Sequence, residues 1–88
     1  MNGLTQMIRI EIVISGRDAP PIRDLITSAG ATGYTSVSGV SDTLTMLITV
    51  LPPDRAPALI DAVRQLLEAG SGVMFVAETH VSRPEYFQ

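Results

Sequence analysis

Residues 7–33, MIRIEIVISGRDAPPIRDLITSAGATG, decide the fold, because a strand pattern runs directly into a helix pattern. In residues 7–15 isoleucine occupies every second position, which is the period of a strand with one buried face. Pro20 and Pro21 then suit a first helical turn, where backbone N–H groups have no partner within the helix. Apolar residues follow at helical spacings, with a glycine where the helix should end: Ile22, Leu25, Ile26, Ala29 and Gly30.

The second half of the chain repeats this alternation of strand and helix. The predicted strands are residues 34–40, 43–51 and 73–81. Asp54, after the Pro52-Pro53 pair, is the predicted N-cap of the second helix, and Gly70 is its predicted end. The apolar stripe of that helix is predicted to contain Leu59, Ala62, Val63, Leu66 and Leu67.

Two strand–helix–strand units in succession predict an α+β fold. Right-handed crossovers allow one common arrangement, a ferredoxin-like βαββαβ sandwich with strand order 4-1-3-2 and both helices on one face. The chain is expected to be a single domain, 1–88, with a flexible start at 1–6 and a tail at 82–88. The other face of the sheet is predicted to be apolar and to pack between subunits, through residues such as Val13, Leu47 and Leu51.

Composition narrows the range of functions. A lone domain of 88 residues would bury only about 60–65% of its unfolded surface, so oligomerisation is expected. The absence of cysteine excludes disulfides and thiolate metal sites. All six basic residues are arginine and the net charge is −3, which argues against a Walker-type phosphate loop, a nucleic-acid surface and a membrane surface. No apolar run approaches a membrane span, and a cytoplasmic protein without membrane insertion is expected.

Two turns with paired glycines are the candidate ligand-binding features of the sequence. They are residues 29–35, AGATGYT, and residues 69–73, AGSGV, and each joins a helix to a strand. Glycines leave backbone N–H groups uncovered, and Thr32 or Ser71 adds a hydroxyl, so each turn is either a tight connection or a cradle for a phosphorylated ligand. The topology places the turns at opposite ends of one subunit, roughly 25 Å apart. A ligand that touches both must lie between neighbouring subunits of an oligomer.

Four stretches in this order resemble the PII nitrogen-regulatory signalling proteins and their PII-like relatives. They are GATGYT after the first helix, TMLIT before the Pro-Pro pair, the second glycine turn and the tail VSRPEYF. The tail is most similar to the PII-like branch associated with carboxysomes and inorganic-carbon uptake. The resemblance implies a regulatory homotrimer, not an enzyme, with adenine nucleotides in clefts between subunits. It implies no required cofactor and no catalytic or metal-binding residue, and it makes bicarbonate a candidate second ligand.

The resemblance also implies which residues form each cleft. One subunit contributes the second glycine turn and the base of the loop between the second and third strands, namely Gly39, Gly70, Ser71 and Gly72. The neighbouring subunit contributes the first glycine turn and an arginine of the tail, namely Gly30, Thr32 and Arg83. On this interpretation a Gly72→Val substitution fills the approach to the phosphates, abolishing nucleotide binding while leaving the trimer intact.

Two features depart from the family pattern. PII proteins carry a long mobile loop between the second and third strands, whereas residues 38–43 here form a short link without lysine or tyrosine. Uridylylation, and docking on a transporter or enzyme target by loop insertion, are therefore not expected. The phosphate-contacting lysine after the second glycine turn is also missing, since Val73 and Met74 follow Gly72. With fewer cations for a triphosphate, AMP or ADP is favoured over ATP.

Two other classes of protein share this predicted architecture. One is a trimeric assembly of the metal-tolerance type without a nucleotide site, and the other is an ACT-like module that senses small molecules. An enzymatic function is not supported by the sequence, because no serine lies in a nucleophile-elbow motif. RNA-binding versions of the fold place aromatic side chains on the central strands amid basic charge, and here those strands are aliphatic.

Overall fold

The computed structural model of the protein describes residues 4–31, 33–41, 43–70 and 72–82. Four strands and two helices follow each other in the predicted order: β1 Thr5–Ser15, α1 Ala19–Ser28, β2 Thr35–Ser41, β3 Leu44–Leu51, α2 Ala56–Glu68 and β4 Gly72–Val81. A single 3₁₀ turn, Gly16–Asp18, leads from β1 into α1. Among the helices described, none is long and apolar enough to cross a membrane.

The sheet is antiparallel throughout and has the order β2-β3-β1-β4, which confirms the predicted 4-1-3-2 arrangement. Its central strand β1 owes its place to the alternating isoleucines, because Ile10, Ile12 and Ile14 are all buried. β1 begins inside the segment predicted as a flexible start, and Thr5 pairs with Val81 of β4. Outside the described residues lie residues 1–3 of that start and residues 83–88 of the tail.

One face of the sheet is covered by both helices. α1 contributes Ile22 and Ile26 and α2 contributes Leu59 and Val63 to a continuous buried core, as their helical spacings predict. Leu66 departs from the predicted stripe, since it is 39% exposed, whereas the next residue, Leu67, packs against the core. The core therefore sits between the helices and the inner face of β1 and β3.

The prediction of Asp54 as an N-cap is wrong. The cap position belongs to Arg55, and no side chain of the described residues bonds to the first turn of α2. The backbone N–H groups of Arg55 and Ala56 donate to the carbonyl of Pro52, at 3.0 and 3.3 Å. Asp54 therefore lies inside the turn that these two bonds close, and α2 begins after it, at Ala56.

The outer face of the sheet carries apolar side chains around the Arg9–Glu11 pair of β1, but two of the three residues predicted to lie on this face do not. Leu47 and Leu51 are fully buried under the helices, because they stand opposite Ile12 and Ile8 of β1 and directly opposed residues share a face. Val13 does lie on the outer face. Its companions are the alternate residues of β3 and β4, namely Met46, Ile48, Val50, Val73 and Phe75.

Candidate functional site

The two glycine turns lie at opposite ends of the sheet, as the topology predicts. Gly72 pairs with Ile14 near the end of β1, level with Thr45 of β3. The first turn lies beyond the other end of β3, where Gly30 contacts Arg55. From Thr45 to the end of β3 at Leu51 the strand rises by about 20 Å. No small ligand of one subunit can reach both turns.

The first turn begins with a left-handed glycine that ends α1. Gly30 has a φ of +88°, a conformation that side chains disfavour, and its N–H donates to the carbonyl of Thr27 at 3.1 Å. The predicted helix end is therefore confirmed. Across the turn, Nη1 of Arg55 donates to the carbonyl of Gly30 at 3.4 Å.

A buried threonine ties the far side of the first turn to the sheet. Oγ1 of Thr49 donates to the carbonyl of Gly33 at 3.0 Å, and Thr49 is only 2% exposed. This bond holds the turn against β3 and also satisfies a hydroxyl on the core side of the strand. The turn is thus anchored at Gly30 by Arg55 and at Gly33 by Thr49.

Thr49→Val is expected to destabilise the protein by about 1–2 kcal/mol, because the isosteric side chain leaves the Gly33 carbonyl without its partner. For a domain of this size that corresponds to a fall in melting temperature of roughly 4–15 °C, measurable by thermal unfolding. Thr35→Val, at an exposed position of β2, is the control and should change the melting temperature little. An unchanged melting temperature in Thr49→Val would show that the bond does not anchor the turn.

The second turn contains two glycines, of which packing within the subunit requires only one. At Gly72 a Cβ would lie 2.9 Å from Cδ2 of Leu67 and 3.1 Å from the carbonyl oxygen of Val13, so packing within the subunit excludes a side chain. At Gly70 the backbone is outside the left-handed region, and a Cβ would meet no described atom within 4 Å. The backbone N–H of Gly70 donates to the carbonyl of Leu67 at 3.2 Å. Packing within the subunit does not require a glycine here, so the space beside Gly70 is open to a ligand or a neighbouring chain.

Gly39 lies at the same end of the sheet as the second turn. It has a φ of +74° and interrupts the pairing of β2 with β3 between Ser38 and Ser41. The structure therefore groups Gly39, Gly70 and Gly72 at one end and Gly30 at the other, in the two sets that the resemblance implies. The three remaining predicted site residues, Thr32, Ser71 and Arg83, lie outside the described residues.

A cavity of about 250 Å³ opens beside Gly70, between the start of α1 and the end of α2. Its lining combines apolar side chains with one charge of each sign: Ile14, Arg17, Asp18, Pro21, Leu66, Ala69 and Gly70. Sequence reasoning missed both Arg17, at this cavity, and Arg55, at the first turn. A signal was available, because each arginine follows shortly after a predicted strand and so belongs to the same end of the sheet as a glycine turn.

Two further arginines of the described chain are held in ion pairs, and Glu68 ends α2 two residues before Gly70. Arg9 pairs with Glu11 on the outer face of β1 at 3.1 Å, and Arg64 pairs with Asp61 on α2 at 2.7 Å. Within the described ranges, no three histidine or carboxylate side chains come together in a way that could hold a metal ion. The described groups nearest the two turns are therefore backbone atoms, the arginines Arg17 and Arg55, and the carboxylates Asp18 and Glu68.

Comparison with known proteins gives matches among solved structures alone: no family model and no curated protein matches the sequence. CPII of Thiomonas intermedia bound to ADP and bicarbonate is 29% identical, with a TM-score of 0.89 over 97% of both chains. CPII of the same organism, a nitrogen regulatory PII-like protein bound to ADP, AMP and bicarbonate, is 33% identical, with a TM-score of 0.87 over 96% of this chain and 99% of that chain. A proposed PII-like signalling protein of Thermus thermophilus, 18% identical over 97% of this chain and 98% of that chain with a TM-score of 0.82, shares the fold.

Proposed function

The chain belongs to the nitrogen-regulatory PII-like proteins, and from this premise we propose that it is a homotrimeric regulator that binds an adenine nucleotide between its subunits. The observation that carries the proposal is the placement of the two glycine turns at opposite ends of one sheet. A ligand held by both turns needs two subunits. In a closed ring, the end of one subunit that carries the second glycine turn can face the end of the next subunit that carries the first glycine turn. The similar CPII protein is bound to ADP and AMP.

Each cleft takes one set of residues from each of two subunits. One subunit supplies Gly39, Gly70 and Gly72, with Ser71 between the last two, and the neighbour supplies Gly30, with Thr32 and Arg83. Gly70 is the strongest candidate of the first set, since nothing within the subunit requires its lack of a side chain, although its own N–H donates to the carbonyl of Leu67 at 3.2 Å. Backbone N–H groups at such a turn suit the oxygens of a phosphate.

The ligand is proposed to be AMP or ADP rather than ATP. No lysine is present, and Val73 and Met74 follow the second turn, so no cation of β4 faces the added charge of a third phosphate. A small anion such as bicarbonate is the proposed second ligand, in line with the bicarbonate bound to CPII together with ADP.

The outer face of the sheet is the proposed interface of the trimer. Val73 and Phe75 are 50% and 57% exposed in the single subunit, and they extend the apolar surface that Met46, Ile48 and Val13 begin. Burying such side chains yields roughly 25 cal/mol for each Å² removed from water. The packing of sheet against sheet would thus supply the oligomer that the shared site needs.

We propose a regulatory role in the cytoplasm, linked to inorganic carbon, and no enzymatic activity. The signal would be the occupancy of the clefts, read by a transporter or an enzyme target. Because β2 and β3 are joined by a short link, the target would bind the body of the trimer and not a long inserted loop.

Calorimetric titration with AMP, ADP and ATP tests the proposal, and light scattering measures the oligomer. We expect a trimer that binds ADP and AMP more tightly than ATP. Gly70→Val should weaken binding of ADP about tenfold or more, because the added side chain fills the open space beside the turn and keeps the ligand from its hydrogen-bond partners there, with the trimer retained. Arg64→Ala, which removes an exposed pair on α2, is the control and should bind as the unmodified protein does.

Two outcomes would contradict the proposal. The absence of heat with any of the three nucleotides at millimolar concentration would exclude the nucleotide site, leaving the metal-tolerance-like and ACT-like alternatives. A monomeric mass would exclude a shared site, because the two turns of one chain cannot meet.

A further inference from the structure

Arg55 covers the first glycine turn in a way that a helix start alone does not require. Its Nη1 donates to the carbonyl of Gly30 at 3.4 Å, and the same atom would lie only 2.7 Å from a Cβ at that position. The guanidinium therefore rests directly on the part of the turn where a side chain would project. The contact joins residues 25 positions apart, so it depends on the tertiary fold.

The backbone of Arg55 is held firmly, while its side chain stays exposed. The residue closes a turn in which its N–H donates to the carbonyl of Pro52 at 3.0 Å, directly before α2. Within the described part of the chain, the guanidinium makes one hydrogen bond and no ion pair. A guanidinium has five N–H donors, so several are available to an anion.

Other arginines are less suited to this end of the sheet. Arg9 and Arg64 are each paired with a carboxylate, and Arg17 lies at the opposite end beside Gly70. Arg23 lies in the middle of α1, seven residues and about 10 Å of helix before Gly30. The protein has a net charge of −3, and an anionic ligand in the cleft needs cations near it. At the first turn, the arginine that the described structure offers is Arg55.

We propose that Arg55 of the neighbouring subunit binds the phosphates of the nucleotide, with Gly30 as its support. The inference rests on the proposed function, and it assigns to Arg55 the charge that the missing lysine after Gly72 would have supplied from the other side of the cleft. A guanidinium suits this task because it can donate two parallel hydrogen bonds to one phosphate. The carbonyl of Gly30 fixes its position.

The test compares adenosine, AMP and ADP as ligands of Arg55→Ala, Arg55→Lys and the control Arg64→Ala. Arg55→Ala is expected to weaken the binding of ADP about tenfold or more, because the lost contact is to phosphate. The binding of AMP should be weakened less, and the binding of adenosine should hardly change. Arg55→Lys keeps the charge without the paired donors and should fall between. Melting temperatures measured in parallel separate loss of the helix-end contact from loss of ligand binding.

Equal weakening of all three ligands would overturn the inference, since Arg55 would then only support the turn. So would an Arg55→Ala protein that binds ADP as tightly as the unmodified protein. Failure of the unmodified protein to bind any nucleotide would contradict the proposed function itself, which keeps the two failures distinct.

Mixed trimers test whether Arg55 acts across the interface. Gly70→Val and Arg55→Ala subunits carrying different tags are co-expressed, and trimers that bear both tags are purified. If the two residues serve the same cleft from different subunits, one site of the three in each mixed trimer carries neither substitution, so about a third of the sites should bind ADP normally. If both residues serve a cleft from the same subunit, no site is restored and the inference fails.

Discussion

Phe75→Asp is expected to dissociate the protein into monomers. Phe75 is 57% exposed in the single subunit and lies on the outer face of β4, directly opposite Glu11 of β1. In a trimer built on this face, the new carboxylate would be buried beside the carboxylate of Glu11, with which Arg9 is already paired. Such a burial costs several kcal/mol at each interface. Light scattering should give about one third of the mass of the unmodified protein.

Val76→Asp is the matched control for this experiment. Val76 is the next residue of β4 and is 47% exposed, but it stands opposite Ile10 and so belongs to the helix-covered side of the sheet. A trimer should persist in this variant. If Phe75→Asp remained a trimer, the outer face would not be the interface. If both variants dissociated, the effect would reflect damage to β4 and not the proposed contact.

The order of the strands was predictable because it depends on local patterns. Alternating isoleucines define β1, and helical spacing defines α1 and α2, while the handedness of crossovers leaves one common sheet order. The left-handed Gly30 was predictable for the same reason, since a helix end is a local event.

Which face of β3 is buried was not predictable from its composition. The set Leu44, Met46, Ile48 and Val50 is more apolar than the set Thr45, Leu47, Thr49 and Leu51, yet the second set faces the helices. The register with β1 decides the matter, because Ile12 and Leu47 must share a face. Thr49 tolerates burial since its hydroxyl donates to the carbonyl of Gly33, a partner 16 residues away.

The candidate site likewise has features that the sequence predicts and features that only the tertiary structure reveals. Glycine pairs after two helices are visible in the sequence, and their placement at opposite ends follows from topology. The position of Arg55 on Gly30 and the close approach of Gly72 to the carbonyl of Val13 arise from contacts between distant segments. The sequence alone therefore does not distinguish Gly72, which packing requires, from Gly70, which it does not.

Gly72→Val is expected to destabilise the fold by about 2–4 kcal/mol, in contrast to the sequence-based expectation of an intact trimer that lacks only nucleotide binding. A Cβ at this position would lie 3.1 Å from the carbonyl oxygen of Val13, a backbone atom of the central strand that cannot move aside as a side chain can. Its φ of +154° adds backbone strain for a β-branched residue. Thermal unfolding should show a melting temperature lowered by roughly 10 °C or more.

Gly70→Val supplies the same side chain two residues earlier in the same turn, where a Cβ meets no described atom within 4 Å. Its melting temperature should therefore stay within a few degrees of the unmodified protein, because substitutions at open surface positions change stability by only about 0.5 kcal/mol. Its affinity for ADP should nevertheless fall. A loss of binding without loss of stability would identify Gly70 as a ligand contact, whereas the reverse pattern at Gly72 would identify a packing glycine. Equal stability of the two variants would contradict this division of roles within the turn.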